Sequence, residues 1–424
     1  MAYLLVLSGL MLACGRLGDL TGFTRIFIAG FALFSLGSLL CGLAPTITLL
    51  VAARVVQGIG AAAITAIALA MIAVCLPADK RGWALGVLMT IVSVAIAAGP
   101  ILGGFITEFL GWHWIFFVNV PVGIAAIILA IRYLPQDIVP AQSGRFDTAG
   151  AVLILAALAT LLFPVSQGLY LGWTSPFVLF CLSASLLLLI ILIIHERRSR
   201  SPLIELSLFT VPNFVTGNAG SMLIILAFAG SEFLLPFYFE LVRGISTETV
   251  GLLLAVPAVF LMLAGPVAGK FSDRYGCRGL MIGSAALCAI TMFLFSRFDS
   301  STGFPVIVAT LALEGIAIGL FVPPNMSLIL GSARKEAGGV ASGVMMTLRT
   351  SGAMLGIALL GTIAMSGFLR AASGSVIQAP VPDQLVPGFQ VAYLVGAAVC
   401  IIVVVASLMV KETDRSLVGE IPPR

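Results

Sequence analysis

Four ionisable side chains lie inside long apolar stretches of the sequence: Arg54, Glu232, Glu314 and Arg349. A charge held in hydrocarbon is costly, so a residue kept there is first of all a candidate for function. An acid in such a place can take up a proton from one side of a membrane and release it on the other. An arginine can hold a carboxylate or a substrate, or tune a neighbouring proton site. Simpler readings stay open beside these. Glu314 sits near the middle of its stretch and Arg349 about ten residues into the next, at about 1.5 Å per residue, so the two could pair and lock two helices. Glu232 could face a hydrated outer vestibule, and Arg54 could only hydrogen-bond backbone carbonyls. In the first half no acid lies deep in an apolar run: Asp19, Asp79, Glu108, Asp137 and Asp147 all fall at loops or ends. Any proton coupling in this chain therefore rests on its second half.

The elements that must position these residues follow from composition. Of 424 residues, 60% are hydrophobic and 9% charged, with a mean hydropathy of +1.17; a soluble domain carries about 25% charged residues. Thirteen candidate spans are expected, at 2–15, 26–44, 47–75, 83–106, 113–133, 149–166, 174–194, 212–238, 248–268, 279–296, 305–323, 339–365 and 389–410. Runs this long and continuously apolar fit helices rather than the alternating strands of a barrel. The fold class is an all-α polytopic membrane protein. Interior prolines at 100, 121, 236, 257 and 266 are tolerable as kinks in such a bundle. The 45 glycines suit close helix packing in lipid, and the hydrophilic stretches between spans are too short to be soluble domains.

Several function classes are disfavoured. The net charge of +4 comes from basic residues scattered between apolar runs, which does not read as a nucleic-acid surface. The seven cysteines show no metal-ligand spacing. His113 and His195 fall on opposite membrane faces and cannot share a site. No nucleophile, base or metal set indicates an enzyme, no glycine-rich nucleotide loop points to ATP, and no cofactor or metal is expected. No signal peptide is seen at the start.

Basic residues set the expected orientation. If the loop after the first span is cytoplasmic, that side holds Arg16, Arg25, Lys80, Arg81, Arg132, Arg145, Arg197, Arg198, Arg200, Lys270, Arg274, Arg278, Arg334 and Lys335, with Lys411, Arg415 and Arg424 in the tail. The other side has only Arg243, Arg297 and Arg370. The C-terminus is thus expected inside, and with thirteen spans Met1 falls outside.

An internal repeat marks the two halves. Gly15, Arg16, Asp19 and Gly22 follow the first span; Gly269, Lys270, Asp273, Arg274 and Gly276 follow the ninth. In each, a basic residue follows the first glycine, an aspartate comes four residues after it, and a second glycine three further on. Glycines allow a tight reversal and the aspartate can cap a helix; a turn chosen for geometry alone is the plainer alternative.

This loop resembles the cytoplasmic loop motif of the major facilitator superfamily. The first copy lacks the usual basic residues at Leu20, Phe23 and Thr24, and the second fits better around Asp273 and Arg274. Arg54, Gln57, Gly58 and Gly60 are similar to that family's Arg-x-x-Gln-Gly motif. Gly99, Pro100, Gly103 and Gly104 resemble its antiporter motif, in which Gly and Pro bend and narrow the helix. The segment from Trp112 to Gly123 resembles a junction of the fourteen-helix drug:proton antiporters, with His113 at the usual basic position. Leu235, Pro236, Gly244, Ser246, Gly251 and Pro257 continue the likeness.

The resemblance implies a major facilitator fold of two pseudo-symmetric bundles with two extra linking helices. It divides the chain into 1–133, a five-span bundle that lacks the family's first helix; 134–211, carrying the extra helices; and a six-helix bundle at 212–424. It implies a monomer in the inner membrane, with a small-molecule substrate, protons and the lipid bilayer as partners, exporting lipophilic drugs by alternating access. Arg54, Glu232 and Glu314 would lie on cavity-lining helices. Phe228, Phe233, Phe237, Tyr238, Phe321 and Met326 could form an adaptable apolar cavity, or could be ordinary packing residues. A truncated, non-transporting protein of the same fold and an exporter of one metabolite are the alternatives.

Overall fold

The computed structural model describes residues 2–134, 146–199, 203, 206–334, 337–372 and 382–411, and among these every regular element is helical. Helices satisfy their own backbone groups, as the absence of water in hydrocarbon requires. In chain order they are α1 (Ala2–Thr21), α2 (Phe23–Gly42), α3 (Ile47–Cys75), α4 (Ala78–Leu110), α5 (Trp114–Phe117), α6 (Asn119–Tyr133), α7 (Thr148–Leu171), α8 (Pro176–Arg198), α9 (Pro212–Phe237), α10 (Thr247–Tyr275), α11 (Arg278–Phe295), α12 (Phe304–Gly331), α13 (Gly338–Ala372) and α14 (Pro382–Leu408). A π turn at Tyr238–Val242 prolongs α9. The short α5 continues into α6 as one span, Trp114–Tyr133. Each of the thirteen expected spans coincides with one of these helices or with the α5–α6 pair, and among the described residues 11 helices are long and apolar enough to cross a membrane. Arg145, Arg200, Lys335, Arg415, Arg424 and Asp137 lie outside the described residues.

Helix starts are chemically marked. Thr46 accepts from the Leu49 amide at 3.3 Å, Ser175 from that of Val178 at 3.3 Å and Asp147 from that of Gly150 at 2.9 Å, each an N-cap bond answering an amide left open by the first turn. Pro176 and Pro212 stand in the first turn, where a missing N–H costs nothing.

In the first half α3 packs on α1 and α2, and α6 on α2. In the second half α9 packs on α13 and α14, α10 on α12, and α11 on α12 and α14. The halves meet chiefly where α1 lies along α13 and α4 along α10. α7 and α8 form a hairpin whose α7 rests on both α1 and α13, with the Trp173 indole donating to Thr362 Oγ1 on α13 at 3.1 Å. The two extra helices thus cover one seam between the halves.

Asp147 also links the far ends of that hairpin, its carboxylate lying 2.8 and 3.0 Å from Nε2 of His195 in the last turn of α8. Asp147→Ala removes a cap and an interhelical contact together. It is expected to lower the stability of the folded chain by about 1 kcal/mol or more, seen as earlier thermal unfolding in detergent, whereas Asp147→Asn, which keeps the cap, loses less.

Candidate functional site

The repeated motif is helical over most of its length. α1 runs on to Thr21 and α10 to Tyr275, past the ends expected from hydropathy, and only the second glycines, Gly22 and Gly276, make the turns, with φ of 102° and 94°. The first glycines therefore do not serve a reversal. Gly15 lies against the backbone of Gly339 on α13, and Gly269 against that of Gly82 on α4. A side chain at any of these four positions would run into the opposing helix.

The motif aspartates complete the same contacts. Asp19 accepts from the amides of Gly339 at 2.8 Å and Val340 at 3.0 Å, the open first turn of α13. Asp273 accepts from the amides of Gly82 at 3.0 Å and Trp83 at 2.9 Å on α4. Further bonds cross the same seams: Ser342 to the Ala66 carbonyl at 2.8 Å, Thr347 to that of Ser8 at 3.2 Å, and Thr90 to that of Met262 at 3.2 Å. Both halves are thus drawn together at the end carrying the motifs. Of the basic motif residues, Arg16 is buried and Arg274 stacks over Tyr275 at 5.2 Å.

Among the described residues, Gly99 and Gly103 on α4 and Gly251 on α10 have no neighbour within 4 Å of where a side chain would start. α4 runs unbroken through the antiporter-like segment, and no described residue packs against Gly99 or Gly103. The surroundings of Pro100 and Gly104 lie outside what is described.

The two intramembrane acids lie within electrostatic reach of each other. Glu314 on α12 is 2% exposed, and Glu232 on α9 is near enough for the two carboxyl groups to act on each other electrostatically. Ser231, beside Glu232 in the chain, and Tyr393 on α14 border the pair. Neither oxygen of Glu314, Oε1 of Glu232, nor the hydroxyls of Ser231 and Tyr393 finds a hydrogen-bond partner among the described residues. Cys288 on α11 and Cys400 on α14 are close on the remaining sides. Glu314 therefore points into the interior of the second half. The adjoining face of α12 carries Gly315 and Gly319, which pack on Pro257, Leu261 and Ala264 of α10.

The alternative of a Glu314–Arg349 lock is not what the fold forms. Arg349 is part-buried on α13, its Nη1 has no hydrogen-bond partner, and no ion pair joins it to Glu314 among the described residues. Two carboxyl groups acting on each other, one of them buried, cannot both stay ionised cheaply without a cation. A proton or a small cation is the chemical complement of this arrangement.

Arg54 occupies a different environment on α3. Its guanidinium donates to Gln57 Oε1 at 3.1 Å and lies over the rings of Phe116 at 4.5 Å and Tyr3 at 5.8 Å. Gln57 in turn donates to Ser38 Oγ on α2 at 2.8 Å. Gly58 and Gly60 lie against α1 and α2, so the whole motif binds three helices together with Arg54 held between aromatic faces.

The aromatic and methionine residues named as a possible cavity divide. Tyr238, Phe321 and Met326 are fully buried packing residues, and Tyr238 also donates to the Asp299 carbonyl at 2.7 Å. Phe228 and Phe233 are half-buried and Phe237 is exposed. Sequence reasoning missed Ser231 and Tyr393; the one signal available was a hydroxyl set in an otherwise apolar run.

The chain matches the sequence profile of the Major Facilitator Superfamily over residues 1–357 and 219–423. It is 28% identical to the riboflavin transporter RibZ of Clostridioides difficile (strain 630), over 98% of this chain and 89% of that one. It is 30% identical to the multidrug resistance protein Stp of Mycobacterium tuberculosis (strain ATCC 25618 / H37Rv), over 90% of this chain and 71% of the relative. Its fold is similar to that of the human organic anion transporter MFSD10 (TETRAN), with a TM-score of 0.68 at 14% identity, covering 96% of this chain and 82% of that structure.

Proposed function

From the premise that this chain belongs to the major facilitator superfamily and is a multi-pass membrane transporter, not an enzyme, we propose that it exports lipophilic small molecules in exchange for protons. The observation that carries this is the proximity of half-buried Glu232 to buried Glu314 in the second half, with no ion pair to either among the described residues. The pair takes up a proton in one state and gives it up in the other, and the change in charge alters the cost of closing the bundles around it. Arg54 and Arg349 stand apart from the pair; Arg54 positions α1, α2 and α3, and Arg349 is left as a candidate for an anionic substrate group.

In this reading the chain works as a monomer of two bundles, 1–133 and 212–424, joined by 134–211, in the plasma membrane. The end bearing the motifs is cytoplasmic, as is the C-terminus, in keeping with the distribution of basic residues. Close contact of the halves at that end then corresponds to a state closed to the cytoplasm. Export is supported by the likeness to Stp, named for multidrug resistance. The likeness to RibZ favours a second reading, transport of one metabolite.

The test uses inverted membrane vesicles containing the full chain and ethidium as a fluorescent lipophilic cation. Acidifying the lumen is expected to drive ethidium accumulation that a protonophore abolishes. Accumulation that persists with the protonophore present would contradict proton coupling. Riboflavin accumulation under the same gradient, without ethidium, would favour the second reading.

A further inference from the structure

Orphaned polar side chains recur at two levels along α9, α12 and α14, the acid pair at one of them. On α9, Asn218 and Glu232 are fourteen residues apart, with Ile225 midway; on α14, Ser407 and Tyr393 have the same spacing, with Cys400 midway. On α12, Glu314, Ile318, Phe321 and Asn325 are spaced by four, three and four. At 100° per residue each set stays on one face of its helix. All three helices therefore carry the same pattern: polar at both ends, apolar between.

The α12 and α14 faces meet beside α9 on its Gly217–Gly220 side, which lies about 100–160° around that helix from Asn218. Side-chain atoms of Phe321 and Val403 stand 3.5 and 3.6 Å from where a side chain at Gly220 would begin, so α12 and α14 meet over α9 there. One turn nearer the motif end, Asn325 Oδ1 comes within 3.4 Å of the same point on Gly217. Asn325, Asn218 and Ser407 are 0%, 3% and 1% exposed. Both amide atoms of Asn325, Oδ1 of Asn218 and Oγ of Ser407 lack a hydrogen-bond partner among the described residues. A buried amide left wholly unanswered costs several kcal/mol, and water is the usual answer where several such groups converge. Between the layers Ile318, Phe321, Cys400 and Val403 are buried and apolar. The separation along α12 is about 16 Å at 1.5 Å per residue, too far for a direct proton transfer.

We propose that protons travel between the acid pair and the cytoplasm inside the second half, where α12 and α14 meet beside α9, with Asn325 and Ser407 holding the waters of the inner relay and Phe321 plugging the belt between. The proton route is thereby separate from a substrate route between the two halves. This rests on the acid pair as the proton site, and a leak assay separates the two claims.

The full chain is reconstituted in liposomes loaded with a pH-reporting dye, and a potassium diffusion potential drives proton entry with no substrate present. Phe321→Ala opens room for water in the belt and is expected to raise the substrate-independent proton leak about tenfold over the unmodified chain. Adding Asn325→Leu returns the leak to the basal rate, and Asn325→Ser, which keeps a polar group, leaves it high. Adding Glu314→Gln also returns it to basal. A Phe321→Ala protein that is folded yet as tight as the parent, or a leak that survives Asn325→Leu, overturns the route. A leak stopped by Asn325→Leu but indifferent to Glu314→Gln would instead overturn the acid pair as its proton site. Should Phe321→Ala fail to fold, Phe321→Val makes the same test with a smaller cavity.

Discussion

Glu314→Gln is expected to reduce proton-driven uphill export by about 100-fold or more, the scale on which a positioned proton donor contributes, while leaving downhill exchange of substrate in place. Glutamine has nearly the volume of glutamic acid and fits the same space between α9, α11 and α14, so the bundle keeps its packing. It cannot release a proton, so the site is fixed in its neutral form and the rocking of the bundles is no longer tied to the gradient. Removing an unpaired acid from a dry interior also removes a desolvation cost. Thermal stability should therefore be kept or raised, which separates this outcome from simple misfolding. Glu232→Gln is expected to act in the same direction. The double variant should be no worse than either alone, because groups that act as a unit are not additive. Paired uphill and downhill flux measurements in proteoliposomes check all three.

Opening the motif end is the second large effect. Gly339→Val places a side chain against Gly15, where the α1 and α13 backbones touch, so the halves cannot close there. Export is expected to be lost, and Ala341→Cys, buried in the parent, should become reactive to a water-soluble maleimide added from that side. Asp19→Asn acts more gently at the same seam. Its carboxylate accepts two amides at the open start of α13, and weakening two charge-assisted bonds costs about 3 kcal/mol, a factor of about 100 in the closed-to-open ratio. Asp273→Asn should shift the balance less. The amides it holds, at Gly82 and Trp83, lie past the first turn of α4, which begins at Ala78, where helix carbonyls are within reach as other acceptors. Maleimide labelling rates of the two variants compare these effects directly.

The spans were legible because hydrocarbon demands length and apolarity and little else, and both are written in composition. Their ends were less so. Arg16, Asp19, Lys270 and Asp273 made the ends of α1 and α10 look like loops, although the helices continue to Thr21 and Tyr275. Gly15 and Gly269 look like turn residues in sequence, yet they are contact points between halves more than 300 residues and nearly 190 residues apart in the chain, Gly15 with Gly339 and Gly269 with Gly82. No local pattern announces such partners. Glu314 shows the deeper limit. α12 is apolar on all sides, so hydrophobic periodicity does not reveal which face meets α10 and which turns inward. The expected cavity-lining acid is, in the fold, an interior one with Glu232 as its neighbour. The orphaned Asn218, Asn325 and Ser407 were visible only as polar letters in apolar runs; that Asn325 reaches Gly217 on α9 came from tertiary packing.

The claim that the acid pair exchanges its proton for substrate is tested most directly without any membrane gradient. Ethidium is added to the purified full chain in weakly buffered detergent solution, and the pH change is followed with an indicator. The unmodified protein should release protons on binding ethidium, and Glu314→Gln should bind it while releasing none. Equal proton release from both proteins, or none from the unmodified chain although ethidium binds, would contradict the account.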